Sequence, residues 1–356
     1  MNFKSYIKNN KIVGLSPMDG VTDEAMRLLQ AKVAKADVVF TEFVSAEGLS
    51  NGGIKLFQKL LYSPNERPII AQLFGKNPDS FYKSTIILSE LGFDGIDINM
   101  GCPSKKVSGH GSGAALIDNP QLAIEIIRAV RAGTMDWYQQ ENLIEKIGLK
   151  NKTKQQLDEN KKYSNLDKNK KDILTVSVKT RLGTKEITIE KWAEVLIKEE
   201  IDLLTIHGRT LRQGYAGLTN WEEIAKVVKM AKNSGVAVWG NGDVFSRQEA
   251  VLKIERYGVG GVLIGRKAIG NPWVFEEKER SVSAEERKKI MLEHLEIFQK
   301  VFPNRKTDCL RSKFLAYTKG LRNAKQLRKQ IVRIETKKDL LKIDFEINDR
   351  MGNVDR

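Results

Sequence analysis

Residues able to do chemistry gather in three places along the chain. In the stretch at 95–116, a strand-like GIDIN runs into a Met-Gly turn that delivers Cys102 beside Pro103. A thiol there can be a nucleophile, a proton donor or packing. With a free pKa of about 8.5 it stays protonated at neutral pH unless a cation or a helix amino terminus lowers it. No histidine stands next to it in sequence to suggest a Cys/His pair. The second place is the pair VKTRLG and IHGRT, which set Lys179, Arg181, His207 and Arg209 at the ends of two successive strand-like runs. Each alone reads as a solvated or core side chain, whereas together they favour a flat, anionic ligand. The third is a phosphate cradle, WGNGD at 239–243 and IGRKAIGNP at 264–272, where Gly242, Gly265 and Arg266 stand near Asn241 and Asp243. Backbone N–H groups freed by glycine turns point naturally at an anion.

The elements that must position these groups follow one rhythm from residue 11 to about 270: a short apolar run, a polar or glycine-bearing end, then an amphipathic helical stretch. Eight candidate strands result: IVGLSPM, VVFTEFV, PIIAQLF, GIDINMG, TVSVKTRL, LLTIHGRT, VAVWGNGD and GVLIGR. The pattern predicts an α/β fold, a (β/α)8 TIM barrel whose strand ends bring Ser16, Glu42, Gln72, Asn99, Lys179, His207, Asn241 and Arg266 to one mouth. An open dinucleotide-binding sheet is disfavoured, since no G-x-G-x-x-G follows the first strand. Two segments break the rhythm. A Lys, Asn, Gln and Glu rich insertion at about 138–171 reads as a mobile surface segment in which IEKIGLK could form a short helix, and which could add an RNA contact. From about Ser283 the strand signals stop and the pattern turns helical. The expected organisation is a barrel domain at 1–280 and a C-terminal all-helical domain at 283–356.

With 356 residues and 41% apolar content, the chain can bury a large core. Only two cysteines occur, Cys102 and Cys309, in no metal-ligand or C-x-x-C spacing, so a reduced setting is expected, with Cys309 a packed thiol. The amino-terminal residues lack the apolar core of a signal peptide, and no run is apolar enough to span a membrane; the expectation is a soluble, cytoplasmic protein acting as a single chain, without a metal. The net charge of +15 invites polyanions. It concentrates between 304 and 342, where Arg305, Lys306, Arg311, Lys313, Lys319, Arg322, Lys325, Arg328, Lys329 and Arg333 surround Phe314 and Tyr317. This predicts a local basic surface for nucleic acid.

The segments SPMDGVTD, QLFG, INMGCPSKKV, VKTRLG, IHGRTLRQGYAG, NGDV and GRKAIGNPW, in that order, resemble those of the tRNA dihydrouridine synthases over about residues 11–275, and the basic helical tail resembles that family's RNA-binding domain. Asp19, His110 and the length of the insertion depart from the family's pattern. The resemblance implies FMN held by backbone at Pro17 and Met18, by the side chains of Gln72, Lys179 and His207, and by Asn241, Gly242, Asp243, Gly265 and Arg266 around its phosphate. It also implies Cys102 as general acid, and Asn99, Arg181 and Arg209 on the substrate side. The implied reaction, with NADPH as reductant and tRNA as partner, adds hydride from FMN N5 to uracil C6 and a proton from Cys102 to C5 of a base flipped out of its stack. The alternatives are an FMN-dependent reductase of free pyrimidines, which would not need the basic tail, and a non-catalytic RNA-binding barrel, which would bind no flavin.

Overall fold

A computed structural model describes residues 3–104, 108–109, 111–166 and 171–345. His110, part of the insertion and the last eleven residues lie outside them.

All eight expected strands form: β1 Ile12–Leu15, β2 Val39–Ser45, β3 Ile69–Phe74, β4 Gly95–Met100, β5 Thr175–Arg181, β6 Leu203–His207, β7 Ala237–Asn241 and β8 Gly261–Ile264. Every neighbouring pair is parallel, and β8 returns to β1, so the sheet is a closed barrel. Helices fill the connections, several with explicit start signals: Asn77 and Asn119 each cap a helix whose first residue is proline, and Ser246 caps the helix Arg247–Tyr257. Alternation along the strands turns Ile96, Ile98 and Met100 toward helices, where they pack with Phe81, Ile87, Ile126 and Val130.

The inward positions divide by height. At the amino end of the barrel, Ile12, Phe40, Ile70, Leu203, Trp239 and Leu263 make an apolar plug, closed from below by Phe3 and Ile7 of the helix Phe3–Asn9. Gly261 makes room for it: a Cβ there would lie 2.9 Å from the Trp239 ring. Each fully buried side chain of this size contributes roughly 1.5–3 kcal/mol, so the plug fixes the barrel and leaves the polar inward residues to the opposite, carboxyl end. That end is the mouth, as in TIM barrels generally.

After the barrel come helices Ala284–Val301, Arg311–Tyr317, Ala324–Ile331 and Lys337–Lys342. Met291, Leu295, Phe298, Phe314, Tyr317, Leu327 and Ile331 form their shared core, which extends onto Ala25, Leu29 and Trp273 of the barrel. Phe314 and Tyr317, expected on the basic surface, are therefore core residues. Lys313 is buried too and pairs with Asp23, the cap of helix Glu24–Val33. Lys306, Lys319, Arg322, Lys325, Arg328, Lys329 and Arg333 are exposed and form the basic face. Cys309 is exposed rather than packed.

The insertion departs from its expected mobile form. Besides the short helix Leu143–Lys146, a helix Asn151–Tyr163 docks on the loop after β2, burying Leu157 and donating from Asn160 Nδ2 to the Phe57 carbonyl at 2.9 Å. Ser164 Oγ donates to the Tyr62 carbonyl, also at 2.9 Å. A few anchoring side chains suffice to fix a segment whose composition is almost wholly polar. Among the described residues no helix is long and apolar enough to cross a membrane, and no group of three or more His, Cys, Asp or Glu is placed to hold a metal ion.

Candidate active site

The strand ends open into a cleft of about 1090 Å³. Its walls include Pro17, Met18, Gln72, Asn99, Cys102, Lys179, Arg181, His207, Asn241, Gly242, Asp243, Gly265 and Arg266, and across from them Arg280, Arg287 and Lys319 of the C-terminal region. Thus every residue expected to bind or react, Arg209 apart, lines one cleft; of the strand-end residues expected at the mouth, Ser16 lines it too, whereas Glu42 does not and its buried carboxylate accepts from the Gly20 N–H at 2.7 Å. Strand register explains the meeting: Asn99 lies beside Lys179, Arg181 beside His207, and His207 beside Asn241.

Cys102 is half-buried on the turn leaving β4, and burial pushes its thiol up from the ordinary value, against the lowering pull of Arg181 and Lys179. The thiol is therefore a proton carrier at neutral pH. Its turn is held from both sides. Asn99 Oδ1 accepts from the Gly101 and Cys102 amides at 3.1 and 2.9 Å, and Arg181 Nε donates to the Gly101 carbonyl at 2.7 Å.

Lys179 Nζ donates to Asn241 Oδ1 at 3.0 Å, while Asn241 Nδ2 donates to the Leu263 carbonyl at 2.8 Å, so the asparagine's orientation is fixed. Burial, and then the Arg181 guanidinium, bring the lysine down to about 8. His207 falls further, to about 2, by burial and by the cations Lys179, Arg181, Arg209 and Arg266. It is neutral, and because Arg181 Nη1 can only donate, at 3.3 Å, His207 Nδ1 must accept and Nε2 must carry the hydrogen. The site thus offers a cation, a neutral imidazole N–H donor and a protonated thiol.

The turns after β7 and β8 are built on glycine. Gly242 takes φ +121°, and a Cβ on it would lie 2.5 Å from Thr219 Cγ2. A Cβ on Gly265 would meet nothing nearer than 3.8 Å, which leaves that side open. Arg266 rests its guanidinium 4.4 Å from the Tyr215 ring centroid and donates to Asp243 at 3.3 Å. At Met18 the backbone is committed: its N–H goes to Thr22 Oγ1 at 3.1 Å, and its carbonyl receives Val21 and Thr22.

Arg209 is the exception. It is 3% exposed, does not line the cleft, and spends its guanidinium on Asp243, at 3.1 Å from Nη1, and on the Ala216 and Gly217 carbonyls. It braces the loop after β6. Two residues that the sequence reading passed over belong to the site. Tyr215 lies on the cleft wall, and Asp97 lies one inward step below Asn99, receiving Ser177 Oγ and Gln72 Nε2 at 2.6 Å each. The signal for Asp97 was its parity with Asn99 in GIDIN, a carboxylate on the inward face of an otherwise apolar strand.

The family described as Dihydrouridine synthase (Dus) matches residues 14–138 and 163–350. The chain belongs to the dihydrouridine synthase family. Among curated proteins, a "Probable tRNA-dihydrouridine synthase" of Staphylococcus aureus (strain COL) is 32% identical over 331 residues, 90% of this chain and 88% of that protein. "Probable tRNA-dihydrouridine synthase 2" of Bacillus subtilis (strain 168) is 31% identical over 343 residues, 93% of each. Of solved structures, that of morphinone reductase in complex with tetrahydroNAD superposes with a TM-score of 0.43 at 10% identity, over 74% of this chain and 84% of that one. The family match skips 139–162, the stretch that carries the docked insertion helix, so in this dihydrouridine synthase the insertion is an addition to the shared frame.

Proposed function

We propose that this dihydrouridine synthase reduces the C5–C6 double bond of uridines in tRNA, with FMN as cofactor and NADPH as reductant, in the cytoplasm. The observation that carries the reading is the pairing, in one cleft, of a protonated Cys102 with the Lys179, His207 and Asn241 group.

The residues present fit a flavin mononucleotide. The cradle of Gly242 and Gly265 has room at Gly265 and a cation at Arg266 for a phosphate. Lys179, His207 Nε2–H and the second N–H of Gln72 Nε2 are donors for an electron-rich ring system. When bound and reduced, FMN supplies the hydride that adds to uracil C6. The chain supplies the rest. Cys102 gives its proton to C5, so that two hydrogens in all saturate the bond, and the thiolate left behind is stabilised by Arg181 and Lys179 until solvent returns the proton. Asn99 holds the turn that aims the thiol, and with Arg181 it borders the space for the base.

On the opposite wall Arg280 is paired with Glu276 and Glu286, so Arg287 and Lys319 are the cations there that favour a polyanionic substrate over a free pyrimidine, and the exposed basic residues of the tail add to them. Reconstitution tests the reading. The purified chain should take up FMN in preference to FAD, be reduced by NADPH, and form dihydrouridine in unmodified tRNA but not from free uridine. A reducible flavoprotein active on free pyrimidines alone would replace this reading with the other.

A further inference from the structure

Beneath the cleft floor, Asp97 is fully buried in the barrel interior. A carboxylate in such a place costs several kcal/mol unless its oxygens are answered. Both are: Ser177 Oγ donates to Oδ1 and Gln72 Nε2 to Oδ2, each at 2.6 Å. An uncharged residue could meet the same two donors. What a carboxylate adds is that it only accepts.

That property propagates upward. Gln72, with Nε2 facing Asp97, must show Oε1 to its other neighbour, and there Asn99 Nδ2 donates to it at 2.9 Å. Asn99, with Nδ2 spent on Gln72, must show Oδ1 to the mouth, and there it accepts from Gly101 and Cys102. Reversing either amide would set two donors against each other. We propose that Asp97 is a positioning residue for the reduction, an acceptor-only anchor that orients the amides of Gln72 and Asn99 and so holds the turn carrying the Cys102 thiol. Its catalytic meaning rests on Cys102 being the proton donor; the orientation itself does not.

Moving the carboxylate along the chain tests this. In Asp97→Asn the amide can present either its oxygen or its N–H to Gln72, so the direction of the chain is no longer fixed; whenever the N–H faces Gln72, Gln72 and then Asn99 turn around and the Gly101 and Cys102 amides lose their acceptor. Adding Asn99→Asp places the acceptor-only group at the other end, where it can receive both a reversed Gln72 and Cys102. The readouts, on the full chain with FMN bound, are iodoacetamide alkylation of Cys102, with exposed Cys309 as internal reference, and amide hydrogen exchange over residues 100–104. Asp97→Asn should speed both at the turn about fivefold or more, the scale of one lost hydrogen bond, with Cys309 unchanged, and the double variant should restore them. An unchanged single variant, a double variant no better than the single, or Cys309 accelerating in step would each overturn the proposal. If the single variant fails to fold, recovery of the fold in the double supports it. If neither folds, Gln72→Met, which cuts the chain of amides but keeps the charge, must raise the Cys102 rate, and an unchanged rate overturns the proposal. A Cys102→Ala variant that still forms dihydrouridine would remove the catalytic meaning while leaving the alkylation result standing.

Discussion

Lys179 on β5 reaches past β6 to donate to Asn241 on β7, at 3.0 Å. One ammonium therefore ties the β5 side of the mouth to the β7 side, and on the proposed reading its charge state should govern cofactor binding.

Burial and Arg181 bring Lys179 down to about 8, opposed by the carboxylate of Asp97 and the sulfur of Cys102. An anionic ligand needs the charged form, so FMN affinity should be level between about pH 7 and about pH 8, above the range where the phosphate itself protonates, and weaken as pH rises further. Lys179→Met should weaken binding about tenfold or more and flatten that pH dependence. Titration by flavin fluorescence measures both; a variant with the same pH profile would separate Lys179 from the cofactor.

Arg209 should behave as a brace. Because it is almost wholly buried against Asp243, Arg209→Ala leaves a partly buried carboxylate without its main partner, at a cost of about 2 kcal/mol or more. Lower thermal stability together with weaker FMN binding is expected. Loss of tRNA affinity alone, with stability intact, would return Arg209 to the substrate.

Glu24 is 1% exposed, and burial, then the neighbouring Glu66 carboxylate, raise it to about 8 from 4.5. A carboxyl group raised in this way favours the folded state in full below about pH 4.5, and that contribution is lost as pH rises through about 8. Glu24→Gln lacks the slope, so its melting temperature should gain on wild type steadily from about pH 5 to about pH 9. Parallel curves would show that Glu24 ionises normally.

Gly270 sets how the helical region meets the barrel. It takes φ +68°, and a Cβ there would lie 2.5 Å from backbone atoms of Ala316 and Tyr317. Gly270→Ala should push the helix Arg311–Tyr317 away, strain the buried Lys313–Asp23 pair, and cost about 2 kcal/mol or more. Limited proteolysis should then release the C-terminal helices sooner than in wild type. An unchanged digestion pattern would contradict the close approach.

What the sequence displays most openly is the barrel, because most of the strands end their apolar run on a polar inward residue, and parity alone carries Asn99, Lys179 and His207 to the mouth. Parity stops at the strand ends. Arg209 stands two residues past His207, where the backbone has left the strand, and only the fold shows that its guanidinium turns to Asp243. Asp97 obeys parity but stands among Ile96 and Ile98, where a lone carboxylate draws less notice than the cysteine beyond it. In the insertion, a polar composition concealed anchors as sparse as Leu157 and Asn160. In the tail, Lys313, Phe314 and Tyr317 share a helix face whose inward direction depends on where the barrel lies.

The most direct test is dihydrouridine formation in unmodified tRNA by the FMN-loaded full chain with NADPH, wild type against Cys102→Ala. The account predicts product with wild type and a loss of about a hundredfold or more in the variant, the scale of a missing general acid, while NADPH still reduces the flavin at the wild-type rate. Equal product from both proteins would contradict Cys102 as the proton donor, and no product from a wild type whose flavin is readily reduced would contradict tRNA as the substrate.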